Sequence, residues 1–318
     1  TYFLMRDLRI VFMGTPDFAV ATLDALIKAN FNVVGVITAP DKPAGRGQKM
    51  SQSAVKKYAL ENNLTILQPN NLKSEEFLTE LRHLSANLQI VVAFRMLPKI
   101  VWQMPEFGTF NLHASLLPDY RGAAPINWAI INGETKTGVT TFFIDEKIDT
   151  GNIILQETVS IGENETCGEL HDKLMAVGSK LVVKTVQLIK EGTATTIKQA
   201  EIEEKGAPKI YNETCEINWN DSLNNIYNFI RGLNPYPAAW TTLINNDEAI
   251  KVKIFDVKKE KANHSYKSGS VVTSKNEIKV AVTNGFLIMD SLQLAGKRKM
   301  DSKSLLNGYA FQENAKLQ

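Results

Sequence analysis

The sequence predicts an α/β fold: a Rossmann-like, doubly wound, mostly parallel sheet followed by a C-terminal β-barrel of the OB-like kind. Three observations lead there. Apolar runs alternate with helically spaced segments over the first two-thirds of the chain, a polar Gly/Pro-containing stretch interrupts the pattern, and several short β-rich runs follow it. At 318 residues, 44% hydrophobic and 22% charged, the chain is also too long for one average core, so two domains are expected.

The elements follow in order. Residues 8–13 form an apolar run that ends at Gly14, and Phe18, Val20, Leu23, Leu26 and Ile27 then recur with helical spacing. A second buried strand over 33–37 runs into a turn-rich loop, 39–48, after which Ser51 or Ser53 caps a helix through Val55, Tyr58, Ala59 and Leu60. A short third strand starts at Ile66, helical spacing covers 74–84, and 88–94 is a strongly apolar fourth strand. Strand 108–113, a proline-bounded loop, a helix from near Pro125 and a strand over 139–144 come next, and a long amphipathic helix over 166–191 closes the first domain, assigned to 1–191. Segment 192–208 is polar, carries Gly206, Ala207 and Pro208, and is read as the linker. The second domain, 209–318, has a helix over 223–232 and β-rich runs at 239–244, 250–257, 269–272, 278–282 and 286–294. Trp219, Trp240 and Tyr236 are read there as packing residues rather than stacking platforms.

Composition excludes several classes. No apolar run reaches the roughly 18 residues of a membrane span, and residues 1–6 lack the features of a secretory signal, so a cytoplasmic protein with no membrane partner is expected. The first four residues are left out of the fold argument, with Met5 as the expected native start. Cys167 and Cys215 stand far apart with no CxxC spacing and no nearby histidine, which argues against zinc and against a disulfide framework. Residues 1–206 hold 21 basic and 23 acidic side chains whereas 207–318 hold 15 and 11, so the second domain is the mildly basic one. The turn after Gly14 lacks the later glycines of a dinucleotide fingerprint and places Pro16 where a pyrophosphate would approach, which disfavours a nicotinamide cofactor.

Candidate chemistry starts at 110–113. Period-two alternation puts Phe110 and Leu112 on one face and Asn111 and His113 together on the other. An amide donor beside an imidazole suits acyl transfer to an amine: the amide holds a developing oxyanion and the imidazole carries the proton lost by the nitrogen. The loop that follows, 114–125, is too apolar for an idle linker and is expected to line a pocket. Asp149, on a glycine-bounded turn after a buried strand, either positions a water, pairs with His113, or serves as an Asx-turn residue. In the second domain Lys297, Arg298 and Lys299 form a compact basic cluster suited to a phosphate backbone, though a solvated turn has the same composition.

The run Asn111-Leu112-His113-Ala114-Ser115-Leu116-Leu117-Pro118, with Tyr120-Arg121-Gly122-Ala123-Ala124-Pro125-Ile126 and Asp149-Thr150-Gly151, resembles the signature of 10-formyltetrahydrofolate-dependent formyltransferases. The resemblance implies Asn111, His113 and Asp149 as the catalytic set and Ser115, Leu116, Leu117 and Pro118 as folate-contacting, with 10-formyltetrahydrofolate a co-substrate and no tightly bound cofactor or metal. Three further stretches, 12–19, 39–47 and 234–240, are similar to the branch of that family whose acceptor is methionyl initiator tRNA. That branch implies a tRNA-gripping role for Arg46 and an RNA-binding second domain that includes Lys297, Arg298 and Lys299. Ala114 stands where glycine is common, and Phe94-Arg95 replaces a Tyr-Gly strand end. A formyltransferase acting on a small amine, such as a sugar nucleotide, is the rival reading, and a monomer is the expected state.

Overall fold

A computed structural model describes residues 5–44, 49–201, 205–246 and 248–318. The chain separates into two units: residues 1–122, 137–159 and 171–206, and residues 123–136, 160–170 and 207–318.

In chain order the first stretch forms β1 (Ile10–Gly14), α1 (Asp17–Lys28), β2 (Val33–Ile37), β3 (Lys42–Ala44), β4 (Lys49–Ser51), α2 (Ala54–Glu61), β5 (Ile66–Leu67), α3 (Glu75–His83), β6 (Leu88–Val92), α4 (Lys99–Trp102), β7 (Thr109–His113), β8 (Arg121–Gly122), α5 (Pro125–Ile131), β9 (Lys136–Phe143), β10 (Ile153–Ser160), α6 (Cys167–Glu191) and β11 (Gly206–Ala207). The main sheet of the first unit has the order β10-β9-β7-β6-β1-β2-β5. β5, β2, β1, β6 and β7 run parallel, and their apolar runs are long because such strands are buried on both faces; every residue of β1 and β6 is buried. Helix starts obey local chemistry: Ser53 caps α2 through Lys56 N and Ser74 caps α3 through Phe77 N.

Two features depart from the sequence reading. β9 lies antiparallel to β7, with Phe110 opposite Phe143 and His113 opposite Thr140, so the parallel order ends at the strand that carries the candidate residues. β10, absent from the sequence reading, extends that edge; its middle residues Gln156, Glu157 and Thr158 disguise a half-solvated edge strand as loop. Within the 39–48 loop, β3 and β4 pair as a short hairpin. α6 comes close behind β7, where Gly178 sits against Leu112 and Val139 and leaves no room for a Cβ.

The second unit adds α7 (Leu223–Leu233), β12 (Ala239–Asn245), β13 (Glu248–Lys261), β14 (Val271–Thr273), β15 (Ile278–Val282), β16 (Gly285–Leu294), β17 (Met300–Asp301), α8 (Ser302–Leu306) and β18 (Lys316–Leu317). Its strands order as β14-β15-β16-β13-β12-β18. A bridge between Ser270 and Lys316, with Val271 N donating to Ala315 O at 3.0 Å and Leu317 N to Gly269 O at 2.8 Å, brings the two ends together into a barrel. A bulge between Ile254 and Val257 re-phases β13 so that both side chains belong to the buried core. A small apolar void of about 10 Å³, lined by Leu243, Val252, Ile254, Val280 and Met289 among others, lies within this packed core.

Leu223, Ile226, Tyr227, Ile230 and Leu233 place the buried stripe of α7 at helical spacing. α5 belongs to the same unit: Asn127 Nδ2 donates to Gly232 O at 2.8 Å, and Gly232 abuts Ile131. The buried Arg231 donates through Nη1 to Glu165 O at 2.8 Å, tying 160–170 to α7; burial holds its guanidinium below the usual arginine range. Of the three aromatic residues read as packing, Trp219 is core and bonds Thr241, and Trp240 donates to Asn212 O with Lys251 Nζ 3.6 Å above its ring. Tyr236 corrects the reading, being 82% exposed, because the backbone of its proline-flanked turn is anchored instead by Asn234 and Pro237.

Candidate active site

β7 delivers two polar side chains at its carboxyl end, where ligands of open parallel sheets bind. Phe110 and Leu112 are buried, as alternation requires, but His113 is nearly as deep at 7% exposure. Its Nε2 lies 2.9 Å from Tyr120 O, a pure acceptor, so Nε2 carries the hydrogen and a neutral ring keeps its lone pair on Nδ1. Nδ1 faces Asp149 Oδ2 at 3.8 Å, too long for a hydrogen bond. Asn111, two residues back, is partly exposed, and its Oδ1 is buried without a partner, as expected of an amide whose complement is a ligand.

Asp149 arrives on the turn between β9 and β10. It has φ of 56°, a left-handed conformation that Asp tolerates better than most residues. Gly151 next to it leaves no space for a side chain, because a Cβ there would run into the Phe143 carbonyl. Asp149 Oδ2 accepts from Gly122 N at 3.0 Å, so the carboxylate is gripped by β8 while facing the imidazole.

The loop between β7 and β8 is folded inward. Ser115 is fully buried, and its hydroxyl donates to Asp119 O at 2.7 Å. Thr140 Oγ1 donates to Ser115 O at 2.6 Å and accepts from Leu117 N at 3.2 Å, and Gln156 Nε2 donates to Leu117 O at 2.9 Å. Leu117 is buried whereas Leu116 and Pro118 remain partly exposed. Tyr120, at φ 60°, completes the loop with its N donating to Lys205 O at 2.5 Å.

Sequence reasoning missed the groups that support this arrangement. Thr140 and Gln156 sit on strands whose polar residues carry no signal of what they hold. Gln199 lies in the segment read as linker, yet it is buried, and Ile197 in that segment pairs by its backbone with Ile153. Arg121 Nε donates to Asp149 O at 3.0 Å. Residue spacing gives no hint of contacts that span 28 to 78 positions.

Arg46 falls outside the described residues. Lys297, Arg298 and Lys299 are exposed on the barrel; Lys299 Nζ reaches Asp256 Oδ2 at 3.1 Å and lies over Phe255. Both cysteines are free and buried, and burial pushes the Cys167 thiol up to about 12. Among the described residues no cluster of three or more His, Cys, Asp or Glu side chains could hold a metal, and no helix is long and apolar enough to cross a membrane.

Comparisons with known proteins agree with this chemistry. A formyl transferase family model matches residues 8–186, and a model of the formyl transferase C-terminal domain matches 209–310. A methionyl-tRNA formyltransferase of Flavobacterium johnsoniae is 59% identical over 98% of this chain and all of its own length. One of Bacteroides fragilis is 54% identical over 98% of both chains. Among solved structures, a sugar 3N-formyl transferase crystallised with dTDP and 5-N-formyl-THF matches with a TM-score of 0.66 at 26% identity, covering 92% of this chain and 100% of that one.

Proposed function

The chain belongs to the formyl transferase family, and from that premise we propose that it moves the formyl group of 10-formyltetrahydrofolate onto the α-amino group of methionyl initiator tRNA. The observation that carries the reaction is the buried His113–Asp149 pair two residues from Asn111. The acceptor is supported by near-full-length identity of 54–59% to relatives named for methionyl-tRNA, against 26% for the sugar-modifying relative.

The neutral amine attacks the formyl carbon, a carbon–nitrogen bond forms, and the carbonyl oxygen becomes an oxyanion. Asn111 donates its amide N–H to that oxygen. His113 Nδ1 takes the proton shed by the amine, and Asp149 stabilises the resulting imidazolium. When the bond to folate N10 breaks, the proton passes to N10 and tetrahydrofolate leaves. Ser115 and Leu117 set the shape of the folate-contacting loop, and Leu116 and Pro118 offer their exposed parts to the folate.

Residues 1–191 supply catalysis, 192–208 join them to the rest, and 209–318 bind the tRNA on the outside of the filled barrel, with Lys297, Arg298 and Lys299 on phosphates. Arg46 belongs to the tRNA grip on the same family grounds. The protein acts in the cytoplasm as a monomer. The test is transfer of labelled formyl to methionyl initiator tRNA, elongator tRNA and an amino-sugar nucleotide in parallel. Label on the initiator species alone supports the proposal; label on the sugar nucleotide alone rejects it.

A further inference from the structure

Asp149 can serve His113 only if its turn is held, and left-handed φ at a residue with a side chain is not a conformation the backbone keeps by itself. Gln199 meets that need. Its Nε2 donates to Asp149 O at 2.9 Å and to Gly151 O at 2.8 Å, bracketing the turn. Its Oε1 accepts from Arg121 Nη2 at 2.6 Å and Nε at 3.2 Å, while Arg121 Nε also reaches Asp149 O. The amide orientation is fixed by chemistry: a guanidinium only donates and a carbonyl only accepts, so the oxygen faces Arg121 and the nitrogen faces the turn. The side chain is 6% exposed and its four hydrogen-bonding positions are all used within this cluster.

We propose that Gln199 is a positioning residue for formyl transfer, acting through Asp149: it clamps the 149–151 turn so that the carboxylate stays opposite His113. The proposal rests on the catalytic reading of Asp149 given above. The polar atoms of Gln199 are engaged by Arg121 and by the 149–151 turn, so its effect should appear in turnover and not in substrate binding.

The experiment compares Gln199→Ala, the near-isosteric Gln199→Met and Gln199→Glu in the full chain, using 10-formyltetrahydrofolate and methionyl initiator tRNA. Ala and Met should lower kcat by about 10- to 100-fold, as displacement of a catalytic group does, with KM for both substrates held within about twofold. Glu should do at least as much harm, since it keeps the Arg121 contact but turns an oxygen toward two carbonyl oxygens. In an Asp149→Ala background the same substitutions should change kcat by less than about twofold, because the group they position is gone. An equal loss in that background overturns the proposal, as does unchanged kcat in the single variants or failure of all three to fold, which would make Gln199 a purely structural residue. Wild-type turnover in Asp149→Ala alone would sink the catalytic reading beneath it, an outcome distinguishable from all of these.

Discussion

In the first unit polar groups turn inward and meet: His113, Asp149, Gly122 N, Arg121 and Gln199 converge from β7, β8, the β9–β10 turn and the segment after α6. In the barrel of the second unit the inward positions hold Leu243, Val252, Ile254, Val280 and Leu287, and the charges stay outside. The first arrangement holds a few polar atoms through hydrogen bonds between distant segments; the second packs an apolar interior and leaves Lys297, Arg298 and Lys299 exposed. Substitutions should therefore act steeply and through turnover in one unit, and gently and through affinity in the other.

The largest break of that contrast is at His113. His113→Ala removes the proposed proton carrier, and kcat should fall by about 10³-fold with little change in either KM, measured by formyl transfer at saturating substrates. Gly151→Ala tests the same steepness without touching a reacting group. A methyl there collides with the Phe143 carbonyl and must displace the Asp149 turn, so turnover should fall by about 10²-fold. Activity near that of the native chain would mean the turn has slack, and the inward convergence would lose its significance.

The barrel side is probed by Lys297→Ala with Arg298→Ala. Removing one phosphate-binding cation should make the salt dependence of tRNA binding shallower by about one, so the pair should reduce the slope by about two and raise KM for tRNA by about tenfold, leaving kcat alone. Lys299 is spared in this test because its ammonium is already shared with Asp256. A fall in kcat instead would place these residues in catalysis and erase the contrast between units.

How much of this was legible depends on the range of the interaction that produced it. Strands β1, β2 and β6 and helices α2, α3 and α7 are local: apolar runs, 3.6-residue periodicity and serine caps are written in adjacent residues. Alternation within one strand is enough to put Asn111 and His113 on one face, whereas the glycine-bounded turn at Asp149 left three roles open and only the family resemblance singled one out. The antiparallel setting of β9, the edge strand β10 and the anchoring by Thr140, Gln156 and Gln199 depend on which distant segment arrives opposite. Gln199 in a polar stretch looks the same as a solvated glutamine until residue 121 and residue 149 are brought to it. Tyr236 departs from its packing reading for a related reason: its turn is held by Asn234 and Lys253 and needs no ring.

The smallest expected effect concerns Asp256, which is the barrel's counterpart to the Gln199 cluster and sits at the bulge of β13. Burial would raise the Asp256 carboxyl, but hydrogen bonds from Ser291, Asn234 and Lys299 outweigh it and hold the group below its ordinary value of 3.8. A carboxyl lowered on folding adds stability that is complete above the unfolded value and disappears as pH falls through the folded one. Asp256→Asn should therefore leave unfolding near neutral pH weaker by less than about 1 kcal/mol, because the Lys299 pair is half exposed, and the difference from the native chain should close on acidification below about pH 4. Denaturant unfolding of both chains at a series of pH values measures it. A difference that persists unchanged into acid would mean that the contribution comes from the shape of the Asn234 turn and not from charge. The turn beside the β13 bulge would then resemble the Asp149 turn, held by geometry, and the contrast between the two units would lie only in what their turns present.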